Sequence, residues 1–247
     1  MKWIRAFLRR QRLLRRYAAL HRRFAQSTML RRKTYITNLL LVEKHREVPG
    51  CVVECGVWCG GMIAGMASVL GPDRNYFLLD SFRGLPAAKP IDGVAAREWQ
   101  LDTAGPMYYD NCRAEPGHAI RAMQVAGALR VTLVEGFFDE TLPTFDPGEP
   151  IAILRLDADW YDSTWLCLTH LYPRVAPGGL ILVDDYHTWA GCTRAVHDYL
   201  SRKSLPVPIR QFENDVCYLV KPYRSENVPC LPIGLATTQH PQERCPS

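Results

Sequence analysis

No stretch of this chain reaches the roughly 18 uninterrupted apolar residues needed to cross a bilayer. Its first residues also lack the apolar core of a signal peptide, so the expectation is a cytoplasmic protein. Acids are missing from the first 42 residues, which carry 12 of the 30 Lys and Arg; the other 18 face 25 acids. The net charge of +5 therefore belongs to one arm, and the body carries about −7. A disulfide framework is not expected, because the nine cysteines are odd in number and scattered; a reducing compartment fits them better. Cys51, Cys55 and Cys59 are four apart, but no second Cys or His pair follows at zinc-site spacing. Also absent is the G-x-G-x-x-G turn that holds a dinucleotide's pyrophosphate.

What is present divides the chain in three. Residues 1–44 place Trp3, Phe7, Leu8, Leu14, Tyr17, Leu20 and Phe24 at helical spacing among arginines, which predicts a basic amphipathic helical arm. Such an arm packs on its own domain or across a dimer, touches a membrane surface through residues 1–30, or binds nucleic acid. Packing near residues 35–42 is favoured, a homo-oligomer is expected, and nucleic acid is not. Residues 45–221 read as one α/β domain: five strands alternate with helices, and a terminal antiparallel hairpin turns at Glu213-Asn214-Asp215. That is a doubly wound, mostly parallel sheet. Residues 222–247 form a proline-rich tail with an irregular course.

Acids and glycines gather at predicted strand ends. CVVE ends in Glu54, then Gly56, Gly60 and Gly61 turn into a helix, which suits a nucleotide-like ligand without phosphates, S-adenosylmethionine being the candidate. NYFLLD ends in Asp80, where a ribose diol is gripped in such sheets. RVTLVEG ends in Glu135-Gly136, beside the same ligand. The long connection from Phe82 to about Asp110 reads as a substrate lid. IAILRLDADWYDST delivers Asp157, Asp159 and Asp162; Asp162 is a candidate N-cap for a helix starting near Ser163. Pro177-Gly178-Gly179 is expected to stop that helix before LILVDD, which ends in Asp184-Asp185.

Six blocks in order, VECGVWCGG, LLDSFRGLP, VEGFFDETLP, LRLDADWYDST, LYPRVAPGGLILVDDY and GCTRAVHDYL, resemble the macrocin O-methyltransferase (TylF) family. The resemblance implies a class I methyltransferase, Rossmann-like fold and an enzyme dependent on S-adenosylmethionine and Mg²⁺. It implies cofactor contacts from Glu54 to Gly61, at Asp80 and Ser81, in the Glu135-Gly136 region and at Asp157. It implies metal ligation by Asp157, Asp184 and Asp185. Physics agrees, since three carboxylates in one cleft repel without a cation and an all-oxygen set suits Mg²⁺. Asp184 and Asp185 can share that ion only if the strand has begun to turn. The implied reaction moves a methyl group to a hydroxyl of a sugar or phenolic natural-product-type acceptor, with Asp159 as base and His187 as the alternative. The lid and NCRAEPGHAIRAMQ depart from the family pattern.

Three other readings compete, one of them a glycosyltransferase that holds a nucleotide sugar through a metal on its D-x-D. A haloacid-dehalogenase-like phosphatase would use a D-x-D and a later Asp pair, but on its first strand and with an intervening Lys that is missing here. A non-catalytic protein binding through the basic arm would not need the full set of acids.

Overall fold

The computed structural model describes residues 2–213 and 216–223. Helix α1 (Lys2–Arg23) and α2 (Arg32–Lys44), joined through a short turn at Ala25–Ser27, precede the sheet. Then come β1 (Cys51–Cys55), α3 (Gly61–Leu70), β2 (Asn75–Asp80), α4 (Val94–Leu101), the four-residue turn α5 (Tyr109–Cys112), α6 (Pro116–Ala126), β3 (Arg130–Glu135) and α7 (Phe138–Thr141). The chain continues as β4 (Ile151–Leu156), α8 (Tyr161–Leu171), β5 (Val175–Val183), α9 (Ala190–Arg202), β6 (Arg210–Phe212) and β7 (Val216–Val220). Two of the three expected hairpin-turn residues, Asn214 and Asp215, lie outside the described residues, as does the expected tail from residue 224 onward.

The seven strands take the order β3-β2-β1-β4-β5-β7-β6, with β7 antiparallel to β5 and β6 and the others parallel. The expected doubly wound sheet and closing hairpin are both found. β1 and β4 are buried along their whole length, as central parallel strands covered on both faces must be. One face packs under α1, α2, α3 and α6, the other under α8 and α9. Helix α3 sits close to α2: a Cβ on Gly65 would come within 2.1 Å of the Tyr35 hydroxyl. The sequence runs outward from β1 to β3, then crosses back to β4, so the carboxyl ends of β1 and β4 flank the switch point where ligands bind in such sheets.

Two local expectations need correction. Pro177-Gly178-Gly179 does not terminate a helix; α8 ends at Leu171, and these residues lie inside β5, where the pairing with β4 shifts register between Ile151 and Ile153. A bulge accommodates Pro and Gly within a strand. Asp162 is not the N-cap either. Trp160 holds that position, and the N–H of Tyr161 donates to Asp92 Oδ1 (2.7 Å), so the long connection after β2 supplies the capping carboxylate. Asp162 is exposed and pairs with Lys89.

Candidate active site

Strand register explains how the acids meet. Glu54 of β1 lies opposite Arg155 of β4, which lies opposite Leu182 of β5. Residues two further along a strand return to the same face, and from Arg155 and Leu182 this step leads to Asp157 and Asp184. Arg155 is completely buried. Its Nη1 donates to Glu54 Oε1 (2.8 Å) and Asp157 Oδ2 (2.7 Å), and Nη2 lies 2.7 Å from Asp184 Oδ1. An arginine in an otherwise apolar strand is stable only with such partners.

The chain turns at Asp184 into a short 3-10 helix (Asp184–His187), which meets the condition for neighbouring acids to face one site. Asp157, Asp184 and Asp185 each bring a carboxylate oxygen within 4.8 Å of the others. Asp185 Oδ2 accepts the backbone N–H of Asp159 (2.9 Å), and Arg155 occupies one oxygen each of Asp157 and Asp184. Each acid keeps its other oxygen for a cation. Burial, then the charge of Asp159, raises the Asp185 carboxyl well above the usual range; burial raises Asp184 to about 6, with Arg155 opposing. A donor set of crowded carboxylates fits a hard divalent cation completed by water.

Asp159 sits at a left-handed φ of 55°, which turns its side chain out of the strand direction, and Trp189 Nε1 donates to its Oδ1 (2.9 Å). Burial, then the charge of Asp157, lifts this carboxyl to about 8, with the Trp189 hydrogen bond pulling it down. His187 lines the same cleft but is exposed, edge-on to Tyr186.

The cleft holds about 1100 Å³, more than one small ligand requires. One side of it is formed by Glu54, Gly56, Asp80, Ser81 and Gly136. Gly56 cannot be replaced without moving β4, since a Cβ would lie 1.7 Å from the Asp157 carbonyl. Asp80 Oδ2 accepts the N–H groups of Val57 and Trp58 (2.8 Å each), and Oδ1 accepts that of Phe82 (2.7 Å). A carboxylate offers about four acceptor positions, so one remains for a hydroxyl. Glu54 is differently employed: Oε1 takes Arg155, and Oε2 takes the Ile63 N–H in the first turn of α3 (3.1 Å). Gly60 and Gly61 face protein, against Ala119 and Ser27, and allow α3 to approach α6 and the arm. Glu135 is exposed at the end of the edge strand β3 and does not line the cleft.

The opposite side is aromatic. Trp99 of α4 stands edge-on to Trp160 (6.2 Å between centroids) and Trp189 (5.9 Å), and Trp160 Nε1 donates to the Pro86 carbonyl (2.9 Å). Tyr109 begins four consecutive non-glycine residues of left-handed φ, 48° to 61°. At Tyr109 and Cys112 this costs about 1–2 kcal/mol each, whereas Asp110 and Asn111 tolerate it better. The turn is held by Asn111, whose carbonyl accepts the Leu85 N–H (3.0 Å) and whose Nδ2 donates to the Leu85 carbonyl (2.8 Å). Strain of this kind collects at ligand clamps, and here it lays Tyr109 against Trp58. Arg155, Trp189 and the wall contributed by Ser27 to Thr34 were not singled out from sequence. Only Arg155 left a signal, as the charge that interrupts the apolar run Ile151–Leu156.

The strand order, the switch-point crevice and the acids at the ends of β1, β2, β4 and β5 define a class I methyltransferase fold. The chain matches the Macrocin-O-methyltransferase (TylF) family across residues 14–221 and belongs to it. It is 36% identical over 173 residues to the 8-demethyl-8-(2,3-dimethoxy-alpha-L-rhamnosyl)-tetracenomycin-C 4'-O-methyltransferase of Streptomyces olivaceus, covering 67% of this chain and 64% of that one. To the Mycinamicin III 3''-O-methyltransferase of Micromonospora griseorubida it is 35% identical over 179 residues, 69% and 68% of the two chains. The solved structure of the O-methyltransferase NovP superimposes with a TM-score of 0.64 at 30% identity, over 76% of this chain and 80% of that one. The matched segment thus spans about two thirds of these curated relatives.

Proposed function

We propose that this chain transfers a methyl group from S-adenosylmethionine to a hydroxyl of a sugar or phenolic natural-product-type acceptor, with Mg²⁺ held by Asp157, Asp184 and Asp185. The observation that carries the reading is the convergence of those three carboxylates on one edge of a cleft whose other edge is the Gly56–Asp80 crevice. Family membership supports O-methyl transfer. The relatives named for a rhamnosyl-bearing and a mycinamicin substrate favour a sugar-bearing acceptor.

When bound, the sulfonium cofactor supplies an electrophilic methyl group, and the cation supplies charge that lowers the acceptor hydroxyl's pKa. The protein's work is orientation and proton removal. Asp80 keeps one acceptor position for the ribose, and the Gly56 turn lets the backbone come close. Trp99, Trp160 and Trp189 offer ring edges and faces to the apolar side of a sugar or phenol. Asp159 receives the hydroxyl proton on the carboxylate that Trp189 orients. Docking of the lid through Asp92 and Trp99 excludes water from this space.

Methyl transfer from labelled S-adenosylmethionine to a panel of sugar- and phenol-bearing acceptors tests the reading. Label should pass to a member of the panel, fall to background after chelation, and return with Mg²⁺. Full turnover in excess chelator would remove the metal from the account.

A further inference from the structure

The first two turns of α1 have no role in the cleft and no cover among the described residues. Trp3 is 89% exposed, Ile4 64%, Phe7 61% and Leu8 59%. These four fall at i, i+1, i+4 and i+5 and make one apolar patch. Further along, the same helix is anchored: Tyr17, Ala18 and Phe24 are buried, Arg10 pairs with Glu213, and Arg16 Nη2 donates to the Ser68 carbonyl (2.9 Å). The patch is thus the projecting end of a helix fixed to the body. It also lies outside the family match, which begins at residue 14.

Charge decides what fits there. α1 carries nine Lys and Arg and no acid over 22 residues, and the exposed Arg5 and Arg12 border the patch, three residues before Leu8 and four after it. Pairing of two α1 helices through Trp3 and Phe7 would bring two such cationic helices together, whereas nucleic acid would use the arginines and leave the apolar patch in water. An anionic lipid surface satisfies both groups at once, with rings and aliphatic chains entering the headgroup boundary and Arg5 and Arg12 beside them meeting lipid charge. No described helix is long and apolar enough to cross a membrane. We infer that residues 3–12 form an interfacial anchor that lays this chain on an anionic membrane surface. The inference is independent of the methyl-transfer reading.

Vesicle co-sedimentation of the full chain tests it. Binding is expected to vesicles of equal parts phosphatidylglycerol and phosphatidylcholine and not to phosphatidylcholine alone. The variant Trp3→Ser/Phe7→Ser should lose at least about tenfold in partitioning, given the apolar surface removed, with an unchanged thermal melt and oligomeric mass. Three results would overturn the inference: no binding to anionic vesicles, equal binding by the variant, or conversion of a dimer to a monomer by the variant, which would assign the patch to a second copy.

Discussion

Replacing Arg155 with methionine should lower unfolding free energy by about 3–5 kcal/mol, the usual consequence of removing one partner from a buried ion pair. Arg155 and Glu54 are each 1% exposed, and the same guanidinium serves Asp157 and Asp184. Methionine fills a similar volume but leaves three acids facing one another without a countercharge. Burial already pushes Glu54 upward and Arg155 pulls it back, so loss of the guanidinium drives that carboxyl toward its neutral form. Urea denaturation of both proteins in chelator measures the loss. Saturating Mg²⁺ should return part of it by supplying charge to Asp157 and Asp184. In a double-mutant cycle, Glu54→Gln should cost much less in the Arg155→Met background than in the wild type. A loss under about 1 kcal/mol would mean that the acids are screened by water, contrary to their burial.

The second large effect is on turnover. Asp159→Asn should reduce kcat by about 10²- to 10⁴-fold, the usual contribution of a positioned base, while changing donor affinity little. Asparagine keeps the shape and can still accept the Trp189 N–H through its carbonyl oxygen, so a fall in rate reports lost proton acceptance. His187→Ala is the companion experiment. His187 is exposed at the rim and stands against Tyr186, so its removal should leave kcat within about threefold, below the range of a positioned base. The opposite pattern, an active Asp159→Asn and an inactive His187→Ala, would move the base to the histidine.

Most of the architecture could be read from pattern, because buried parallel strands write themselves as apolar runs and the acids at their ends are conspicuous. Asp157, Asp184 and Asp185 are brought together as the strand-end argument requires. What the pattern could not carry was side-chain employment. Glu54 and Asp80 look alike in sequence, yet one is consumed by Arg155 and a helix N–H while the other retains an open position. Gly60 and Gly61 sit in the same loop as Gly56 but serve helix packing. Glu135 looked equivalent to Asp80, its register partner, but strand order places it on the outer strand. Local cap rules point to Asp162, but the Tyr161 N–H is taken by Asp92, 69 residues before it. The left-handed turn at Tyr109–Cys112 has no glycine to announce it.

On the proposed function, the crevice between the ends of β1 and β4 receives S-adenosylmethionine. Isothermal titration of the full chain with that ligand tests it most directly. One saturable site per chain, with Kd of about 1–100 µM, within the usual span for enzyme ligands, is the predicted result. No heat of binding at up to millimolar ligand would contradict it.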